Sequence, residues 1–121
     1  MERKTIIVSP DFTDKKTGEY YGDSTNEITA DKLNAIMDEV VYSERYNERL
    51  NYCNAYIYTS GNYRVLVSYW TPVAIIDTQK KVCYDLLRIN WGYTNTSATH
   101  IAKFCDKFII HTVYRFTDSR R

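Results

Sequence analysis

His100 is the residue in this sequence most suited to moving a proton, because an imidazole titrates near neutral pH. It follows a run of hydroxyls, Tyr93, Thr94, Thr96, Ser97 and Thr99. Two kinds of chemistry fit that spacing. A histidine beside hydroxyls can act in binding or proton transfer. The same residue types also satisfy the four unpartnered N–H groups at a helix start. Cap chemistry accounts for these hydroxyls without a reaction, so His100 is read as a binding residue and no catalytic residue is assigned. His111 lies in the C-terminal tail, with no relay partner in its surroundings.

Trp91 and Tyr93 can stack on a flat ligand, and Lys80, Lys81, Arg88, Lys103 and Lys107 can meet phosphates. Together they form the candidate binding set for a nucleic acid or a small nucleotide-like ligand. Asp77 and Asp85 flank a turn and could meet as paired carboxylates, but solvation at the turn edge explains them more simply. Cys105 lies five residues after His100, which turns it away from that ring on a helix and excludes a Cys–His nucleophile pair. No G-x-S-x-G, P-loop, H-E-x-x-H or EF-hand pattern occurs. The expectation is a protein that is not an enzyme and takes no cofactor or metal.

The elements that would position these residues follow from periodicity. Thr5 to Pro10 reads as a short strand, and Asp11 to Asn26 as a polar loop. A helix begins near Thr29 as its N-cap. Leu33, Ile36, Met37, Val40 and Val41 form its buried stripe, and the pattern continues less cleanly through Tyr46 and Leu50. Asn51 to Tyr58 and Tyr63 to Tyr69 alternate as the arms of a hairpin, with Gly61 free to take positive φ. Val73 to Asp77 and Val82 to Leu87 extend the meander. Pro72 cannot donate to a ladder, so it belongs at a strand start or a bulge. Ile89 to Asn95 reads as an aromatic loop. Thr96 or Ser97 then caps a helix whose stripe is Ile101, Phe104, Cys105 and Phe108, and Ile110 to Phe116 makes a last strand. The fold class is α+β: a mostly antiparallel sheet of four to six strands with two main helices packed on it, in one domain spanning residues 1–121.

Composition narrows the function classes. The formal net charge of +1 over 121 residues gives no general pull toward nucleic acid. No run approaches the roughly 20 apolar residues of a membrane span, and Ile6-Ile7-Val8 is too short for a signal peptide core. Cys53, Cys83 and Cys105 are scattered, which points to buried thiols rather than a disulfide framework or a zinc site. The 12 tyrosines against 4 phenylalanines are unusual. They suit a sheet covered on one side only, or an aromatic contact face.

The stretch Ser68-Tyr69-Trp70-Thr71-Pro72-Val73-Ala74, followed by Tyr93-Thr94-Asn95-Thr96-Ser97-Ala98-Thr99-His100, resembles a small bacteriophage domain of unknown function. Its pattern is S-Y-x-T-P-V-A, then Y-[ST]-x-T-[ST]-x-x-H opening a helix. Phe104 matches the family's phenylalanine, while Cys105 stands where leucine is usual. The resemblance covers about a third of the chain and implies a phage or prophage protein acting in the cytoplasm of an infected bacterium. The functional expectation is an accessory protein that binds a host protein, as an inhibitor of antiviral defence. The runner-up is a nucleic-acid-binding module, and a third reading is capture of a nucleotide-like ligand near Trp91, Tyr93 and His100.

Overall fold

The computed structural model describes residues 4–8, 30–43, 47–50, 54–92 and 94–116. The strands are β1 (Lys4–Val8), β2 (Asn47–Arg49), β3 (Ala55–Ser60), β4 (Tyr63–Ser68), β5 (Thr71–Asp77), β6 (Val82–Asp85) and β7 (Thr112–Phe116). The helices are α1 (Ala30–Ser43), α2 (Leu87–Asn90) and α3 (Asn95–Lys107). One sheet runs in the order β1-β7-β6-β5-β4-β3-β2. The pairs from β2 to β6 are antiparallel, while β7 lies parallel to both β6 and β1. The protein is therefore α+β with a mostly antiparallel sheet. It has the six strands that alternation predicts plus a three-residue seventh, β2, where the helical pattern was expected to run on toward Leu50.

Strand alternation sends side chains to opposite faces, and here both faces are covered. Leu33, Met37 and Val40 of α1 are buried with Val65, Val67, Ile75, Tyr84, Leu86 and Phe116. Burying each of those α1 side chains contributes about 1.5–3 kcal/mol. On the other face Ile101, Phe104 and Cys105 of α3 are buried with Ile57, Leu66, Ala74, Ile76, Cys83 and Val113. A sheet covered on one side only is thus replaced by three layers. Tyr58, Tyr63 and Tyr114 pack at the margin of the α1 layer, and Tyr84 stacks on Tyr114 at 5.5 Å. Most of the tyrosines that the structure describes on the sheet pack in or against the core. Cys83 and Cys105 are buried thiols; Cys53 lies outside the described residues, as do the Asp11–Asn26 loop and the Thr29 cap.

Pro72 does mark an irregularity. Leu66 pairs with Ala74 but Val67 pairs with Pro72, which leaves Val73 as an extra residue on β5. Val73 and Ala74 then both face the α3 layer. The bulge bends the sheet where β4 and β5 meet their connecting turn. β6 ends at Asp85, two residues short of expectation, where Asp85 Oδ1 accepts from Leu87 N at 3.0 Å; α2 opens at Leu87, the last residue of the expected strand, and runs into the first two residues of the segment read as a loop. Among the described residues no helix is long and apolar enough to cross a membrane.

Candidate functional site

The two stretches on either side of the meander meet at the end of β4. Ser68 is the last residue of β4, and alternation turns it to the α3 face. There its Oγ lies 2.9 Å from His100 Nδ1 and 3.0 Å from Ser97 Oγ. Ser97, His100, Ile101, Phe104 and Cys105 are the buried face of α3, so the helix presents a stripe that begins polar and turns apolar. The cap is neither Thr96 nor Ser97. Thr94 takes the extended conformation, and its Oγ1 accepts from Ser97 N at 3.1 Å. That frees the Ser97 hydroxyl to point inward. His100 likewise serves a side chain, not the backbone groups of the helix start.

Burial pushes the His100 imidazole below its usual value, with the Lys103 charge adding to the shift. With a neutral ring the chain closes in either direction according to the tautomer: Ser97 donates to Ser68 and Ser68 to Nδ1, or Nδ1–H donates to Ser68 and Ser68 to Ser97. Ser68 is 2% exposed and His100 4%. The trio locks the end of the β4 strand to the first turns of the α3 helix.

What the lock holds is the turn that follows. Tyr69 and Trp70 connect β4 to β5 as a two-residue hairpin turn, flanked by the Ser68–Thr71 pair. Both have positive φ, 49° and 68°. Hairpin turns of that hand normally carry Asn-Gly, since a side chain in the left-handed region costs about 1–2 kcal/mol. Tyr69 stacks on His100 with ring centroids 5.8 Å apart, while Trp70 is 88% exposed. Beside the turn, on the face opposite the lock, lies a groove of about 270 Å³ lined by Asn47, Asn54, Tyr56, Tyr58, Val67, Tyr69 and Trp70.

Of the residues singled out in the sequence, Arg88, Trp91 and His100 share this end of the molecule. Trp91 closes α2 and is exposed together with Ile89. Asn90 of the same helix is tied down, donating to Pro72 O at 2.9 Å and exchanging amide bonds with Asn34 of α1. Tyr93 lies outside the described residues. The basic set does not gather. Lys80 and Lys81 sit in the β5–β6 turn and Arg88 in α2, at opposite ends of β6, so they form no single surface. Lys103 and Lys107 are on α3, and Lys107 pairs with Glu48 at 3.7 Å. Asp77 and Asp85 are also at opposite ends. Asp77 Oδ1 accepts from Gln79 N and Lys80 N. Burial raises the Asp85 carboxyl above its usual value, while the Leu87 N–H, Arg88 and Arg115 pull it back.

Ser68, Tyr69, Trp70 and Tyr56 are the residues missed as site members. The signal was present: a hairpin whose two turn positions read Tyr-Trp, with no glycine, asparagine or aspartate, has no inexpensive turn geometry.

Residues 16–116 match a family of unknown function, DUF8033, and the chain belongs to that family. No curated protein and no solved structure matches it.

Proposed function

We propose that this is a non-enzymatic phage or prophage accessory protein that binds a host protein in the infected bacterium, and that its target belongs to antiviral defence. The observation that carries protein binding is Trp70, 88% exposed on a turn whose two residues both take positive φ. Strain of this kind persists where the surface it creates is used, and tryptophan and tyrosine are the residue types that dominate binding energy at protein contacts. Tyr69, Tyr56, Trp91 and Ile89 are further exposed apolar side chains. The phage setting and the defence target rest on the resemblance of the Ser68–Ala74 and Tyr93–His100 stretches to phage domains. The burial of Ser68 and His100 supports a structural role for that pair. Nucleic-acid binding is the weaker reading because its cations are dispersed.

Affinity capture from a bacterial lysate tests the proposal. The wild-type chain retains one dominant host protein, Trp70→Ala loses it, and Tyr42→Ala, an exposed aromatic on α1, retains it. A lysate from which nothing is captured, or equal capture by all three chains, would overturn the reading.

A further inference from the structure

The turn between β4 and β5 is held on both sides of the bond whose rotation makes it costly. The φ angle of Tyr69 is the rotation about its N–Cα bond. On one side of that bond, Tyr69 N donates to Asn54 O at 3.0 Å. On the other, the Tyr69 ring stacks on His100 with centroids 5.8 Å apart. A peptide plane and a side chain fixed in this way leave the bond little freedom, and it stands at φ 49°. The surface under the ring is fixed in turn: Ser68 Oγ lies 2.9 Å from His100 Nδ1 and 3.0 Å from Ser97 Oγ. The imidazole is thus tied to the strand that enters the turn and packed on the turn's first residue.

The opposing effects are close in size. Each side chain in the left-handed region is disfavoured roughly 5- to 30-fold, and Tyr69 and Trp70 both stand there. An intramolecular hydrogen bond favours its own geometry by roughly 2- to 13-fold net. Two such bonds, with the ring stack added, therefore offset two left-handed residues with little to spare. Loss of the bonds tips the turn toward another backbone geometry, which moves the Trp70 indole.

We propose that Ser68, Ser97 and His100 are positioning residues that hold the Tyr69–Trp70 turn in its left-handed form and so aim Trp70 at the protein partner. The inference rests on the reading of Trp70 as the contact residue, and adds how that contact is set from beneath. Ser68 and His100 are buried, so they act through the turn. Once the lock is broken, the binding-competent form is a fraction of the population, and the apparent affinity falls by that fraction.

NMR of the full chain reads the turn directly, because positive φ brings an amide proton close to the Hα of the same residue and gives a strong contact between them. In the wild type Tyr69 and Trp70 show this contact, as do Lys81 and Ile109, which hold positive φ elsewhere in the fold. In Ser68→Ala it falls at Tyr69 and Trp70 and stays at Lys81 and Ile109. Ser97→Ala, which removes one bond of the trio, gives a smaller fall, and decides the comparison if Ser68→Ala unfolds. Thr99→Ala removes an exposed hydroxyl that donates to Asn95 O at 2.9 Å on the same helix, and leaves all four contacts unchanged. Affinity for the captured host protein falls at least about fivefold in Ser68→Ala and is unchanged in Thr99→Ala. Full contacts at Tyr69 and Trp70 in both lock variants would overturn the proposal. So would an unchanged affinity once the turn has changed. A wild-type chain that captures no host protein sinks the binding reading alone, since the turn is read without a partner.

Discussion

Two hairpin turns flank β4; both enter the left-handed region, the first at one glycine and the second at two aromatic residues. At one end, between Ser60 and Tyr63, the chain reverses through Gly61 and Asn62, with Gly61 at φ 56°. Glycine adopts that conformation without steric cost, and the turn is knitted into its neighbour by Thr78 Oγ1 donating to Asn62 O at 2.9 Å and Arg64 donating to Gly61 O at 2.8 Å. At the other end, Tyr69 and Trp70 occupy the left-handed region with two of the bulkiest side chains available, one of them in solvent. The first turn is built for stability. The second accepts strain and is clamped from beneath by Ser68, Ser97 and His100. On the proposed reading, this difference puts the contact surface at the second turn.

Substitutions sharpen the contrast. The largest effect is on binding: Trp70→Ala weakens host-protein affinity at least about 30-fold, the scale of a contact residue carrying 2 kcal/mol or more, while its melting temperature stays near wild type. Titration of the captured partner against both chains measures it. Ser68→Ala is next. It leaves His100 Nδ1 and the Ser97 hydroxyl buried without their shared partner, and urea unfolding should show a loss of about 1–3 kcal/mol. Gly61→Ala follows. The position has open space for a methyl group, so only the positive φ opposes it, and the loss is about 1 kcal/mol. Trp70→Gly should move the other way, gaining about 0.5 kcal/mol from relieved strain less the entropy glycine loses on folding. If both turns lost stability on these exchanges, the contrast between them would fail.

The smallest effect is on pH dependence. The His100 imidazole is held below its unfolded value, so between those two values the unfolded chain binds the proton more readily. Stability is therefore complete above about pH 6.5 and falls as the pH drops below it. His100→Asn keeps a polar group near Ser68 and should flatten that slope. Unfolding midpoints taken between pH 7.5 and 5 report the difference; an unchanged slope would mean that the ring does not titrate across folding.

The fold was largely legible from periodicity. Leu33, Met37 and Val40 at helical spacing, and Ile57, Val65 and Val67 at strand spacing, are buried where their patterns require. Pro72 announced the bulge. What periodicity could not carry was layering. Tyrosine suits a half-covered face and a core margin equally, and only the chain path shows that α1 and α3 take opposite faces. The lock was hidden for another reason: Ser68 and His100 are 32 residues apart, and a hydroxyl near a helix start gives no sign of whether it faces the backbone or the sheet. His100, expected to bind a ligand, is buried against Ser68 instead; the turn between β4 and β5 went unremarked, although its lack of a glycine was in plain view.

The claim most open to test is that Tyr69 and Trp70 are kept for contact at the expense of stability. One measurement addresses it: the amount of host partner captured by Trp70→Gly relative to wild type, with both chains melted in the same buffer. The account predicts a variant that melts no lower than wild type and captures no partner. A variant that captures as much as wild type would contradict it.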